Sequence, residues 1–127
     1  MADKKEKKNI IKTVLYMIPV KADVRKLVEC LDFLQPKAVE IWTAVNLLEI
    51  TLENSTLLFE DMMEQLESAE DLQQLEKMQI SQVYACDYED SDKEAVRRIM
   101  ETLIEKLGGV LASDTEDFTP FIKPEDL

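Results

Sequence analysis

Two carboxylate clusters are the groupings in this chain whose residue types could do chemistry. Asp87, Glu89, Asp90, Asp92 and Glu94 crowd one stretch, and Asp114, Glu116 and Asp117 crowd another. Oxygen-only sites for Mg²⁺ or Ca²⁺ are built from such side chains, and paired carboxylates can divide general acid and general base work. The first cluster lacks the order of a calcium loop, because no glycine turns it and no glutamate closes it at the twelfth position. Asp92 and Glu94 also have a local use at the positive end of a following helix. Carboxylates are abundant throughout, so two of them lying near one another says little. A divalent-metal or small-ligand domain with weak activity is therefore the alternative reading.

Other chemistries have less to stand on. The chain has no histidine, which removes the commonest general base and metal ligand. Cys30 and Cys86 are far from any CxxC spacing, and each sits in an apolar pattern that suits an inert, reduced thiol. No zinc ligand set can be assembled. Neither phosphate-cradling glycine pattern occurs, and Gly108-Gly109 stands where a helix would end. The Arg97-Arg98 doublet has Glu94 and Glu101 within helical reach. These residues point to a protein that is not an enzyme and takes no cofactor.

Charge says more. The formal net charge is -12 over 127 residues. From Ala38 to Glu76 there is no lysine or arginine, while Glu40, Glu49, Glu53, Glu60, Asp61, Glu64, Glu67, Glu70, Asp71 and Glu76 fall inside that span. Nucleic acid is excluded as a partner, since phosphate binding needs clustered cations. An acidic surface of this kind steers a basic protein toward it, with apolar anchors supplying affinity. The alternative use of the charge is solubility alone.

The elements that must position these groups are legible in part. Residues 1–9, with Lys4, Lys5, Lys7 and Lys8, form a basic tail expected to be disordered, and 10–127 a single domain. Ile10 to Ile18 is a β-branched run stopped by Pro19, the profile of a strand buried on both faces. Lys12 and Lys21 break any resemblance to a signal peptide, and no stretch approaches the roughly 20 apolar residues of a membrane span. A cytoplasmic protein is expected.

Val24, Leu27, Val28, Leu31 and Leu34 mark a helix face behind Asp23 as N-cap. Leu48, Ile50 and Leu52 alternate with Glu49, Thr51 and Glu53, then Leu57 to Phe59 follow a turn, giving a hairpin. Val39 to Val45 extends the same strand, although Ile41, Val45, Leu48 and Leu52 also fit a helical face. Asp61 to Gln79 reads as helix in two pieces, with Ser68 and Asp71 capping the second. Gln82 to Tyr88 is an interior strand. Ser91-Asp92-Lys93-Glu94 is a capping box before Val96, Ile99, Met100, Leu103 and Leu107. Val110 to Ala112 is a further short strand. Trp42 and the methionines Met62, Met63, Met78 and Met100 are expected in the core.

This order is that of an α+β, ferredoxin-like split βαβ sandwich with an added C-terminal helix. The alternative is an α-helical bundle in which residues 38–54 are helical. The function expected is a non-enzymatic acidic interaction module, an inhibitor, adaptor or chaperone-like protein. It would bind a basic protein surface, with no nucleic acid and no membrane. The residues expected to meet that partner are Glu49, Glu53, Glu60, Asp61, Asp114, Glu116, Asp117, Phe118 and Phe121. A homodimer through a sheet edge also fits such sandwiches.

Overall fold

The computed structural model describes residues 11–66, 68–115 and 118–127. The tail 1–9 and the expected contact residues Glu116 and Asp117 lie outside them. The strands are β1 (Ile11–Ile18), β2 (Val39–Trp42), β3 (Leu47–Thr51), β4 (Thr56–Asp61), β5 (Gln82–Glu89), β6 (Val110–Ser113) and β7 (Phe121–Ile122). The helices are α1 (Val24–Cys30), α2 (Ala69–Lys77) and α3 (Lys93–Leu107). All seven strands join one sheet in the order β2-β3-β4-β5-β1-β6-β7, and every neighbouring pair is antiparallel.

The mixed α+β class is as expected, and the helical bundle is overturned. Residues 39–51 are two strands, because alternating burial at Leu48 and Ile50 satisfies a sheet face on every second residue. They are not one strand as expected. A 3₁₀ turn at Thr43–Val45 and a left-handed Asn46 (φ 51°) fold β2 back on β3.

Strand alternation divides the core between two faces. The inner face carries Val14, Tyr16, Ile18, Leu48, Ile50, Leu57, Phe59, Tyr84 and Cys86, and both α1 and α3 pack on it. Helix α3 buries Val96, Ile99, Met100 and Leu103 there, each worth about 1.5–3 kcal/mol as apolar surface leaves water. The outer face carries Leu15, Met17, Val83 and Ala112 under Leu75 of α2 and Phe118. Element order alone does not say which side of a sheet a helix takes, and α2 lies opposite the other two helices.

Local signals were partly overridden. Ser68 caps α2 by accepting from the Asp71 amide at 3.1 Å, as its position suggests. The capping box does not form, since residues 90–92 make a 3₁₀ turn and Asp92, the N-cap of α3, makes no side-chain cap. Its carboxylate instead accepts from the Asn54 amide, from Asn54 Nδ2 at 3.0 Å and from the Ser55 hydroxyl. A buried carboxylate gains more from three donors than from one cap. The contact ties the β3–β4 turn to α3.

Candidate functional site

Helix α2 covers only part of the outer face. Its cluster reaches β5, β1 and β6, which leaves the outer side of β2, β3 and β4 open. The register places the open residues in rows across the strands. One row is Glu40, Glu49, Leu58, Asp87 and Thr13; the next is Trp42, Leu47, Glu60 and Ala85. Leu47 and Leu58 are half-buried and belong to neither core, and Trp42 is 42% exposed. The expectation of a core tryptophan is therefore corrected: Val39 and Ile41 take the inner side of β2, so alternation sends Trp42 outward.

The charge on this face is one-signed. Glu40 and Glu49 are directly opposite each other, where like charges destabilise an antiparallel pair. None of the outer positions of β2, β3 and β4 is lysine or arginine. Among the described residues the ion pairs are Lys12–Asp90, Lys26–Glu29 and Arg97–Glu94, and none reaches Glu40, Glu49, Glu60 or Asp87. Asp87 accepts a hydrogen bond from the Thr13 hydroxyl at 2.7 Å.

Below the Trp42 row a cleft of about 450 Å³ opens between the β2–β3 turn and the end of β4. Val45, Leu47, Glu60, Asp61, Glu64 and Gln65 line it. Its wall is held by Asn46, whose side-chain oxygen accepts from the Val24 amide at 2.9 Å. Its Nδ2 donates to Asp61 at 2.8 Å and to the Tyr84 hydroxyl at 3.0 Å. Asp61 also accepts from the Met63 amide at 2.7 Å. Burial pushes the Tyr84 phenol well above its ordinary range, against the smaller opposing pull of Asn46. It remains a neutral donor to the Ala22 carbonyl at 2.6 Å. Helix α1 is too short to persist alone. Asn46 at its first amide and Asp23 at its cap hold it in place.

The expected contact residues are dispersed. Glu49 and Glu60 lie on the open face, and Glu53 is exposed in the β3–β4 turn. Asp61 has both oxygens engaged within the fold. Phe118 is buried at 3% exposure in the outer core. Phe121 is 58% exposed but lies on β7, paired with Ala112, four strands or about 19 Å from β4. Asp114, exposed, borders a separate cavity with Asp71 beside α2. Among the described residues no three carboxylates or thiols are gathered closely enough to hold a metal ion. Glu40, Trp42, Leu47, Leu58 and Asp87 are not among the expected contact residues, although Glu40 belongs to the acidic span and Asp87 to the first carboxylate cluster. The signal for them was the alternation of Val39 and Ile41 against Glu40 and Trp42.

No family model matches the chain, and neither a curated protein nor a solved structure matches it at a significant level.

Proposed function

We propose that the chain is a non-enzymatic acidic interaction module that docks a basic protein surface on the open half of its outer sheet face. The observation that carries this reading is the Glu40–Glu49 pair, which no ion pair compensates among the described residues, beside Trp42, Leu47 and Leu58. A repulsive cross-strand pair costs stability and gives the fold nothing in return. Its use lies in a partner whose lysines and arginines neutralise it. Trp42 supplies an aromatic anchor of the kind enriched at binding hot spots, and the surrounding field speeds encounter.

The same proposal includes a finer architecture, an elaborated ferredoxin-like sandwich. Its support is the central order β6-β1-β5-β4 with α1 following β1, α3 following β5, and both helices on the inner face. Strands β2 and β3, helix α2 and strand β7 are additions to that plan. The added strands create the open acidic face. A reducing, cytoplasmic setting fits the two free, buried cysteines.

Trp42 is the chain's single tryptophan, so it reports directly on the face. Titration with a lysine-rich amphipathic peptide should shift its fluorescence to shorter wavelength, with affinity falling as salt rises. An unchanged Trp42 signal at saturating peptide and low salt rejects the reading.

A further inference from the structure

Strand β2 is the edge of the sheet, with β3 as its one neighbour. Val39 donates its amide to the Pro36 carbonyl. Among the described residues no other hydrogen bond reaches Glu40, Ile41 or Trp42 from outside the ladder with β3. An edge with free backbone groups is a template for a further strand.

The two sides of this edge differ. On the inner side a largely apolar groove of about 310 Å³ runs between α1 and β2, lined by Val28, Leu31, Leu34, Pro36, Val39 and Ile41, with Asp32 the one charged residue on its wall. On the outer side stand Glu40, Trp42 and, one strand further in, Glu49. Side chains of an added strand alternate between these two environments with a period of two.

Resting on the docking face described above, we propose that β2 accepts an extended segment of a basic protein in which lysine or arginine alternates with valine, isoleucine or leucine. The aliphatic side chains enter the groove, the cations lie over Glu40 and Glu49, and backbone pairing with β2 fixes the register. A slip by one residue puts cations against a groove whose lining holds a single carboxylate, Asp32, and aliphatic groups against Glu40 and Glu49, so one register is favoured. A second copy of this chain is a poor occupant. Antiparallel pairing of two β2 edges places both acidic faces on the same side of the joined sheet, and each chain carries a net charge of -12.

The test uses the full chain and a capped synthetic peptide of alternating lysine and valine, with Trp42 fluorescence as readout. Two further peptides carry N-methyl groups on all lysines or on all valines, and a fourth has the same composition in blocks. Only one alternate set of peptide amides faces β2. One methylated peptide should therefore lose about tenfold or more in affinity while the other binds like the parent. The block peptide should bind more weakly than the alternating one. If both methylated peptides bind like the parent, strand addition is wrong and the docking face survives. If the block peptide matches the alternating one, the sequence rule is wrong. If no peptide binds at low salt, the docking face fails with it.

Discussion

Replacing Glu49 by glutamine should make the protein more stable, the reverse of most substitutions in a strand. Glu49 sits directly opposite Glu40, which sets their Cβ atoms about 5 Å apart. Two unit charges at ~5 Å repel by about 0.8 kcal/mol in water, and a Debye length of about 8 Å at physiological salt reduces this to ~0.4 kcal/mol. Glu60 and Asp87, one row or two strands away on the same face, add a smaller contribution. Glu49→Gln should thus gain about 0.5 kcal/mol, a rise in Tm of ~2 °C for a chain of this size. Thermal melts should show the gain growing below about 50 mM salt and vanishing near 1 M, where screening is nearly complete. Glu40→Gln should do the same, and the double variant should gain less than the sum, because each removes the same repulsion. A destabilised or salt-independent Glu49→Gln refutes the uncompensated face.

Three further outcomes follow from the supporting structure. Asn46→Ala forces alanine into a left-handed conformation and removes acceptor and donors from Val24, Asp61 and Tyr84; urea unfolding should show a loss of ~3–4 kcal/mol, of which Asn46→Gly recovers about 1. Asp92→Ala strips the Asn54 amide and Ser55 hydroxyl of their acceptor, so stability should fall by ~2–4 kcal/mol and amide exchange at residues 52–55 should accelerate. Burial raises the pKa of Cys86, Tyr16 and Tyr84. Above the unfolded values of about 8.5 for a thiol and 10 for a phenol, the unfolded chain releases protons that the native state keeps. The stability these groups contribute is complete below those values. It is lost as pH rises toward the folded ones, at up to ~1.4 kcal/mol per pH unit for each group. Unfolding midpoints measured from pH 8 to pH 11 check the slope, and a flat profile contradicts it.

Regular elements were legible where one periodicity dominated. The stripe from Val96 to Leu107 and the run from Ile10 to Ile18 allow a single assignment, and among the described residues both stand as helix and strand, although Ile11, Lys12 and Thr13 are exposed and only Val14 to Ile18 is buried on both faces. Gly108 ends α3 at positive φ, as a glycine after a helical stripe should. The β2–β3 turn was missed because Thr43, Ala44 and Val45 carry no glycine or proline, and only Asn46 marks the left-handed position. The capping box failed because Ser91 and Glu94 state only a local preference. Three distant donors from Asn54 and Ser55 on the β3–β4 turn claimed Asp92.

The acidity of residues 38–76 was plain in the sequence, yet its distribution was not. Adjacent Glu60 and Asp61 point to opposite faces, one open and one hydrogen-bonded to Asn46. That separation depends on register and on the side taken by α2, which long-range pairing decides. Phe118 and Phe121 diverge for the same reason: three residues apart, one closes the outer core and the other lies exposed on an edge strand.

The most direct measurement compares affinity for the alternating lysine–valine peptide across a salt series. The variants are Glu40→Gln/Glu49→Gln/Glu60→Gln on the open face and Glu101→Gln/Glu105→Gln on the exposed side of α3. The first should bind about tenfold more weakly than the parent at low salt, converge with it at high salt and show a shallower salt dependence. The second should follow the parent closely. Equal losses from both variants, or none from either, would mean that the charge serves the whole surface and that the sheet face is no docking site.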